Sequence, residues 1–565
     1  MDYAYVDVAS SGGEITVWCR DKNRQLFVNR HNESDFIYCY QPSSEAEMIN
    51  LHNQPMKRAT FATRRDMEAF VGNRTDIAMS DVSSVDKLLI DEYSGMLMDA
   101  PYNRMHYDIE VAFDLADGKG YPTPENPHGE INLFQCYIPH LNKYVMITYD
   151  KDVVVEDYED GLPVELIRVN GEAALLEEVS ILLEDIDIWG GWYTDGFDLP
   201  YIMERSLKLF DREKALTMYC RDGFRARSRT FHDENGKERT SWQTVGRVHV
   251  DMLELFKKFN PGERTSFSLD AICEEELGIR KEEYDGDLGT LARENPVLFH
   301  RYGWRDAYLL KKLDEKLDII PLAVMIARMS SVRVNEVTGS IRVIDNGLIK
   351  FARDIGIVLP DKKENSKEKF PGAIVYDTIA GLHGWVMTVD LSALYPSVMR
   401  MLGLSPETIV MHCIGGESDF IKIVEKQNTP IKVHHEDSGD IFECLASEMW
   451  EIIRENGYTI SANGVIFNGK MGLVAQYVES LGVNRKKYQK LMRTDPDISK
   501  RTTHDLFQKV FKVFGNSAYG AIGNNFFRLF DLRMATAITT TAQYISKHQA
   551  MTTNRLLNEV VEQIS

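Results

Sequence analysis

A chain of 565 residues is too long for one hydrophobic core and implies three or four domains. Its 44% hydrophobic and 27% charged residues are ordinary for a soluble globular protein, and no apolar run is long enough to span a bilayer. A formal charge of −21 argues against a simple basic nucleic-acid coat but leaves room for a local basic surface. The seven cysteines show no zinc-motif spacing and their number is odd, which fits a reducing cytosol. The N-terminus lacks a signal-peptide layout, so a cytoplasmic protein outside the membrane is expected.

In chain order, Thr16-Val17-Trp18 and Phe36-Ile37-Tyr38 read as β segments. Tyr107 to Phe113 and Ile131 to Tyr137 read as paired strands, with a proline-rich loop from Tyr121 to Pro127 between them. Ala173 to Ile186 reads as an amphipathic helix and Ile186 to Trp189 as a buried strand. Asn235-Gly236, between polar strand-capable flanks, predicts a β-hairpin with a type I′ turn. Ser268 to Leu277 and Pro296 to Leu317 read as helices. The Lys/Glu-rich run from Asp361 to Lys369 marks a domain boundary or a mobile loop, and a strand from Gly384 to Val389 is expected to end at Asp390. Val478 to Met492 and Thr503 to Phe514 read as helices joined by a turn at Asp495-Pro496-Asp497.

Several of these elements carry acids or bases in patterns with chemical meaning. Asp108 and Glu110 lie two apart on a strand and so share a face, where they repel unless a cation neutralises them. Asp198 lies between an aromatic and a proline turn in Gly196-Phe197-Asp198-Leu199-Pro200. Tyr302 and Asp306 stand at i and i+4 on one helical face. Asp390 closes an apolar segment that would hold it rigidly. Between Asn484 and Arg533 eleven basic residues face only four acidic ones, in an otherwise acidic chain. Within that stretch Lys512, Asn516 and Tyr519 recur at i, i+4 and i+7 on one helical stripe.

The segments around Asp108/Glu110, Asp198 and Tyr302/Asp306 resemble, in order and separation, the three motifs of DEDD-type 3′→5′ proofreading exonucleases. Asp390-Leu391-Ser392-Ala393-Leu394-Tyr395-Pro396-Ser397 and Lys512-Val513-Phe514-Gly515-Asn516-Ser517-Ala518-Tyr519-Gly520 resemble the first two polymerising motifs of family B DNA polymerases. The resemblance covers Asp108 to Arg533 and is strongest to replicative polymerases of large tailed phages. It implies that Asp108, Glu110, Asp198 and Asp306 hold two Mg²⁺ or Mn²⁺ ions roughly 3.5–4 Å apart, with Tyr302 orienting the attacking water. It implies that Asp390 and the Leu391 carbonyl ligate metals at a second two-ion site. Amides near Leu394 and Tyr395, with Arg485 and Lys512, would hold the dNTP phosphates, one lysine among Lys486, Lys487 and Lys490 giving a further contact. Tyr395 would pack under the deoxyribose, Asn516 and Tyr519 would face the nascent base pair, and Gly520 would let it approach. Three positions depart from the family: Tyr193 replaces its usual Asn, Phe370 its Tyr and Ala393 its Ser.

The implied architecture is a mixed α/β multidomain chain with a ribonuclease-H-like exonuclease domain. Its expected parts are an N-terminal domain, 1–101 with part of 320–361; the exonuclease, 102–319; the first part of a palm, 362–470; short helical fingers, 471–524; and the start of a second palm segment, 525–565. The family's third motif, an Asp-Thr-Asp-Ser turn with the second palm carboxylate, does not occur up to Ser565. The expectation is a split polymerase whose C-terminal partner supplies that carboxylate and the thumb, with primer–template DNA as substrate and any sliding clamp reached through the partner. A truncated product, a stand-alone exonuclease keeping polymerase remnants and a non-catalytic DNA-binding module are the alternatives.

Overall fold

No side chain of Arg104–Val111 is exposed and five of the eight are buried, as expected of a central strand covered on both faces rather than one alternating between core and solvent. The computed structural model that contains it describes residues 1–564 except 152–158, 233–235, 237, 364–371, 375–379 and 383–389. The strand expected from Gly384 to Val389, together with Phe370 and Asn235, lies outside the described residues. Described residues fall into two compact units, Met1–Phe36 with Ser83–Gly339, and Ile37–Val82 with Ser340–Ser565. The segment 1–101 therefore contributes to both units.

In the first unit Arg104–Val111 sits inside a six-stranded sheet. The spatial order is Val164–Arg168, Lys143–Thr148, Ile131–Ile138, Arg104–Val111, Ile188–Gly191, Val248–Asp251. Ile131–Ile138 pairs antiparallel with both its neighbours, whereas Ile188–Gly191 runs parallel to both of its own. Glycine is required at the end of Ile188–Gly191: a Cβ on Gly191 would lie 2.1 Å from the Tyr107 carbonyl oxygen. Glu172–Leu182, Asp198–Leu209 and Pro296–Leu317 are helices of this unit. Pro296–Leu317 begins with Pro at its first turn and with Asn295 accepting from the Leu298 N–H, a complete start signal, and it packs on Arg104–Val111 and Ile131–Ile138. The expected hairpin is present, with Arg227–His232 paired antiparallel to Glu238–Gln243 and Gly236 at φ 77°. A separate three-stranded antiparallel sheet, Tyr3–Ser11, Glu14–Asp21 and Leu26–Asn32, packs with Ser84–Glu92 around Tyr5, Leu88 and Leu89. Phe36 closes a short 3-10 turn, Glu33–Phe36, and strand structure resumes at Tyr38 instead of running through Phe36.

In the second unit two long helices, Leu473–Thr494 and Ile498–Ile522, form a helical hairpin about the Asp495-Pro496-Asp497 turn, each longer than the sequence periodicity indicated. Ser340–Asp354 packs against both. A five-stranded antiparallel sheet runs Ile441–Leu445, Pro430–His435, Ile409–Cys413, Val465–Phe467, Thr459–Ile460, and its core includes Met449 and Ile453 of the helix Ala446–Asn456. Leu394–Leu402 and the long helix Leu532–Ile564 complete the parts that bear on function.

Candidate active sites

Asp108 and Glu110 project from one face of Arg104–Val111, and Pro296–Leu317 brings Asp306 to them. One ligand atom from each of Asp108, Glu110 and Asp306 lies within 4.8 Å of the others. Gly303 makes this approach possible, since a Cβ there would stand 2.7 Å from Leu133 Cδ2 and 3.1 Å from Gln135 Cδ. Asp198 opens Asp198–Leu209, and its Oδ1 accepts the Ile109 N–H at 3.2 Å, which ties that helix start to the middle of the Asp108/Glu110 strand. Asp198 adjoins the three-carboxylate group without falling inside its 4.8 Å limit. Tyr302 is buried one turn before Asp306, its ring edge-on to Tyr284 at 5.3 Å.

Four acids this close and this buried resist ionisation. Burial, then the charges of Asp198, Asp306 and Glu110, hold the Asp108 carboxyl well above its ordinary range. Burial, then Asp306, pushes Glu110 to about 8, and burial raises Asp198 to about 7. Burial also raises Asp306, opposed by the neighbouring Lys281 ammonium. Asp306 Oδ1 is buried with no hydrogen-bond partner. An orphaned carboxylate oxygen beside two further carboxylates on a rigid strand is an all-oxygen donor set, and it fits a hard divalent cation such as Mg²⁺ or Mn²⁺.

Two residues absent from the sequence reading complete this arrangement. Lys281 Nζ donates to Asp306 Oδ2 at 2.6 Å and to the Tyr302 hydroxyl at 3.1 Å. Gln135, directly across the sheet from Asp108, donates Nε2 to Asp108 Oδ2 at 2.8 Å. Lys281 sits in Arg280-Lys281-Glu282-Glu283, which reads as a solvated charged run, and only register distinguishes Gln135. Asp251 is a third: it accepts the N–H groups of Tyr193, Asp195 and Leu253 at 2.8–3.1 Å and so fixes the loop before Asp198. In that loop the departing residue, Tyr193, takes a left-handed backbone (φ 64°), stays half-exposed and lays its ring over Gly196, where a Cβ would come within 2.3 Å of it.

The second set of residues is open. Asp390 is exposed and Leu391 partly buried, ahead of Ala393, whose left-handed backbone (φ 52°, ψ 45°) turns the chain into Leu394–Leu402. Pro396 at the third helical position lacks an N–H, so the amides of Leu394 and Tyr395 head this helix. Tyr395 packs on Tyr519, ring centroids 4.3 Å apart. On Ile498–Ile522, Lys512, Asn516 and Gly520 are exposed, while Val510, Phe514 and Ala518 bury the opposite side. Arg485 lies partly buried on the facing helix, its Nε without a hydrogen-bond partner. Tyr395 and Tyr519 are thus brought into contact, whereas no ion pair joins Asp390 to Lys512 or Arg485 among the described residues.

Comparison with known proteins is consistent along the chain. The family model for "DNA polymerase family B, exonuclease domain" matches residues 46–272, and that for "DNA polymerase family B" matches residues 331–563. The DNA-directed DNA polymerases of Escherichia phage RB69 and Enterobacteria phage T4 are 24% and 23% identical over 99% of this chain, which spans 67% of each. The DNA polymerase delta catalytic subunit of Glycine max is 26% identical over 81% of this chain and 40% of its own length. The family B DNA polymerase structure from Pyrobaculum calidifontis superposes with a TM-score of 0.70 at 17% identity, covering 98% of this chain and 72% of that one, which establishes the shared fold. With the exonuclease and polymerase matches in this order, the chain belongs to the family B DNA polymerases and carries sequence of both their exonuclease and polymerase domains.

Proposed function

We propose that this polymerase removes mispaired 3′-terminal nucleotides at the Asp108 site and holds the incoming dNTP at the Asp390 site. The observation that carries the first half is the convergence of Asp108, Glu110 and Asp306 within 4.8 Å, with Tyr302 beside them. Asp108, Glu110, Asp198 and Asp306 would hold two Mg²⁺ or Mn²⁺ ions, which supply an activated hydroxide and neutralise the leaving 3′ oxygen. The Tyr302 hydroxyl orients the attacking water. Lys281 favours the ionised form of Asp306 against burial and adds positive charge where the phosphate gains negative charge. Gln135 holds Asp108 at a fixed rotation.

At the second site Asp390 and the Leu391 carbonyl would hold the catalytic cations. The amides of Leu394 and Tyr395, with Lys512 and Arg485, bind the triphosphate. The Tyr395–Tyr519 pair floors the nucleotide, and a 2′-hydroxyl would meet Tyr395. Asn516 and Gly520 face the base pair from the exposed stripe. Two-metal phosphoryl transfer needs a further carboxylate beside Asp390. We place it, with the thumb and any clamp contact, in additional polypeptide acting as a C-terminal partner. Primer–template DNA is the substrate, and the site of action is the cytoplasm of a host cell; among the described residues no helix is long and apolar enough to cross a membrane.

A second reading, a stand-alone 3′→5′ exonuclease, is favoured by one observation: the four-acid set is complete within these residues. Both readings are tested by incubating the chain with a 5′-labelled primer–template, Mg²⁺ and four dNTPs. Products shorter than the primer and none longer are expected from the chain alone. Extension only after the remaining palm sequence is added supports the partnered polymerase. Extension without it overturns the need for a further carboxylate, and no shortening overturns the exonuclease assignment.

A further inference from the structure

Away from both sites, His412 and His434 stand directly opposite each other in the antiparallel strands Ile409–Cys413 and Pro430–His435. Direct opposition in a sheet fixes the separation of two side chains. Their rings face each other with centroids 4.7 Å apart. Glu436, just past the second strand, turns Oε1 toward both: 2.9 Å from His412 Nδ1 and 3.5 Å from His434 Nδ1. Ligand atoms of all three residues lie within 4.8 Å of one another. His412 makes a hydrogen bond to Glu436, whereas His434 Nδ1 is buried without a hydrogen-bond partner.

Metal–ligand bonds of ~2.0–2.1 Å in a tetrahedron give ligand–ligand edges of about 3.3 Å. The distances of 2.9 and 3.5 Å bracket that edge. Two imidazoles and one carboxylate suit a borderline transition metal far better than Mg²⁺. Among the described residues Glu436 Oε1 is also paired with Arg533 Nη1, 2.6 Å away, and Arg533 has Asp531 at 2.7 Å as a second carboxylate partner. Releasing Glu436 to a metal therefore leaves Arg533 paired, while an ion-pair network without metal leaves His434 Nδ1 orphaned. Side-chain exposures of 30%, 28% and 23% for His412, His434 and Glu436 give an ion a path in and leave a coordination position to water.

We propose that His412, His434 and Glu436 form a binding site for one divalent transition-metal ion of the zinc class, pinning the two strands together. The test uses the full chain, stripped with EDTA, dialysed and kept free of Mg²⁺. ZnCl₂ is titrated calorimetrically, and CoCl₂ is followed by visible d–d absorption. One high-affinity ion per chain beyond any taken up by the four-acid site, and the strong bands of four-coordinate Co²⁺, are expected. His434→Ala should weaken binding by about 100-fold or more, at least what loss of an outer-shell partner costs. Asp108→Ala should leave this binding unchanged. His434→Gln and Glu436→Gln, which keep polar side chains in place, repeat the test should the alanine variant fold poorly. Absence of the four-coordinate Co²⁺ bands, their persistence in the His434 and Glu436 variants, or their loss in Asp108→Ala would each overturn the proposal.

Discussion

The acids of the first unit and the nucleotide-facing residues of the second carry charge in opposite ways. Asp108, Glu110, Asp198 and Asp306 are packed on a central strand and two helices and held above their ordinary titration range. Asp390, Lys512 and Asn516 are exposed. The first site is assembled by the fold before any ligand arrives. The second presents its side chains to solvent. Pre-assembly concentrates like charge that cations must relieve, whereas exposure leaves the ligand to supply the ordering free energy.

The largest effect that sharpens this contrast is selective loss. Asp108→Ala should lower 3′-nucleotide release by about 10³-fold, the upper end of removing one electrostatic stabiliser, with unchanged circular dichroism. Asp390→Ala should leave that rate intact and abolish extension in a preparation that extends primers. Equal damage from either variant would break the separation of the two sites. Next comes Lys281→Ala, expected to cost about 10²-fold in exonuclease rate, within the span of positioned acid–base groups. A rate within a factor of two of wild type would remove Lys281 from the site.

A smaller effect is thermal. A carboxyl with a folded-state pKa above its unfolded value binds its proton more tightly in the native protein. That stabilisation is full below the ordinary carboxylate range and is lost as pH rises through about 7 for Asp198 and about 8 for Glu110. In EDTA the melting temperature should therefore fall between about pH 5 and pH 8, and Mg²⁺ should flatten the slope. Differential scanning calorimetry with and without Mg²⁺ checks both slopes.

The smallest effects come from two helical glycines. Gly303→Ala would push Leu133 and Gln135, and should cost about 1–3 kcal/mol as an overpacked contact while slowing the exonuclease through Gln135. Gly520→Ala meets nothing within 4 Å and should stabilise the helix by about 0.5–1 kcal/mol while impairing extension. Urea denaturation of both variants checks the opposite signs.

The sequence alone determined the order of the motifs and most of the local elements. The Asp-x-Glu strand, the Tyr302/Asp306 helix face, the hairpin at Asn235-Gly236 and the Lys512–Tyr519 stripe follow from periods of two and 3.6 and from turn chemistry, which act over a few residues. Helix ends were less legible: the helices flanking Asp495 run on to Leu473 and Ile522, because tertiary packing extends helices beyond their strongest periodic core. Tertiary structure alone decided which distant groups meet. Lys281 reaches Asp306 from 25 residues away, and Gln135 meets Asp108 only because strand register sets them opposite. His412 and His434 face each other for the same reason. Periodicity reports which face a side chain takes, but long-range register is set by packing of whole strands and helices, and that information lies in no short stretch of sequence.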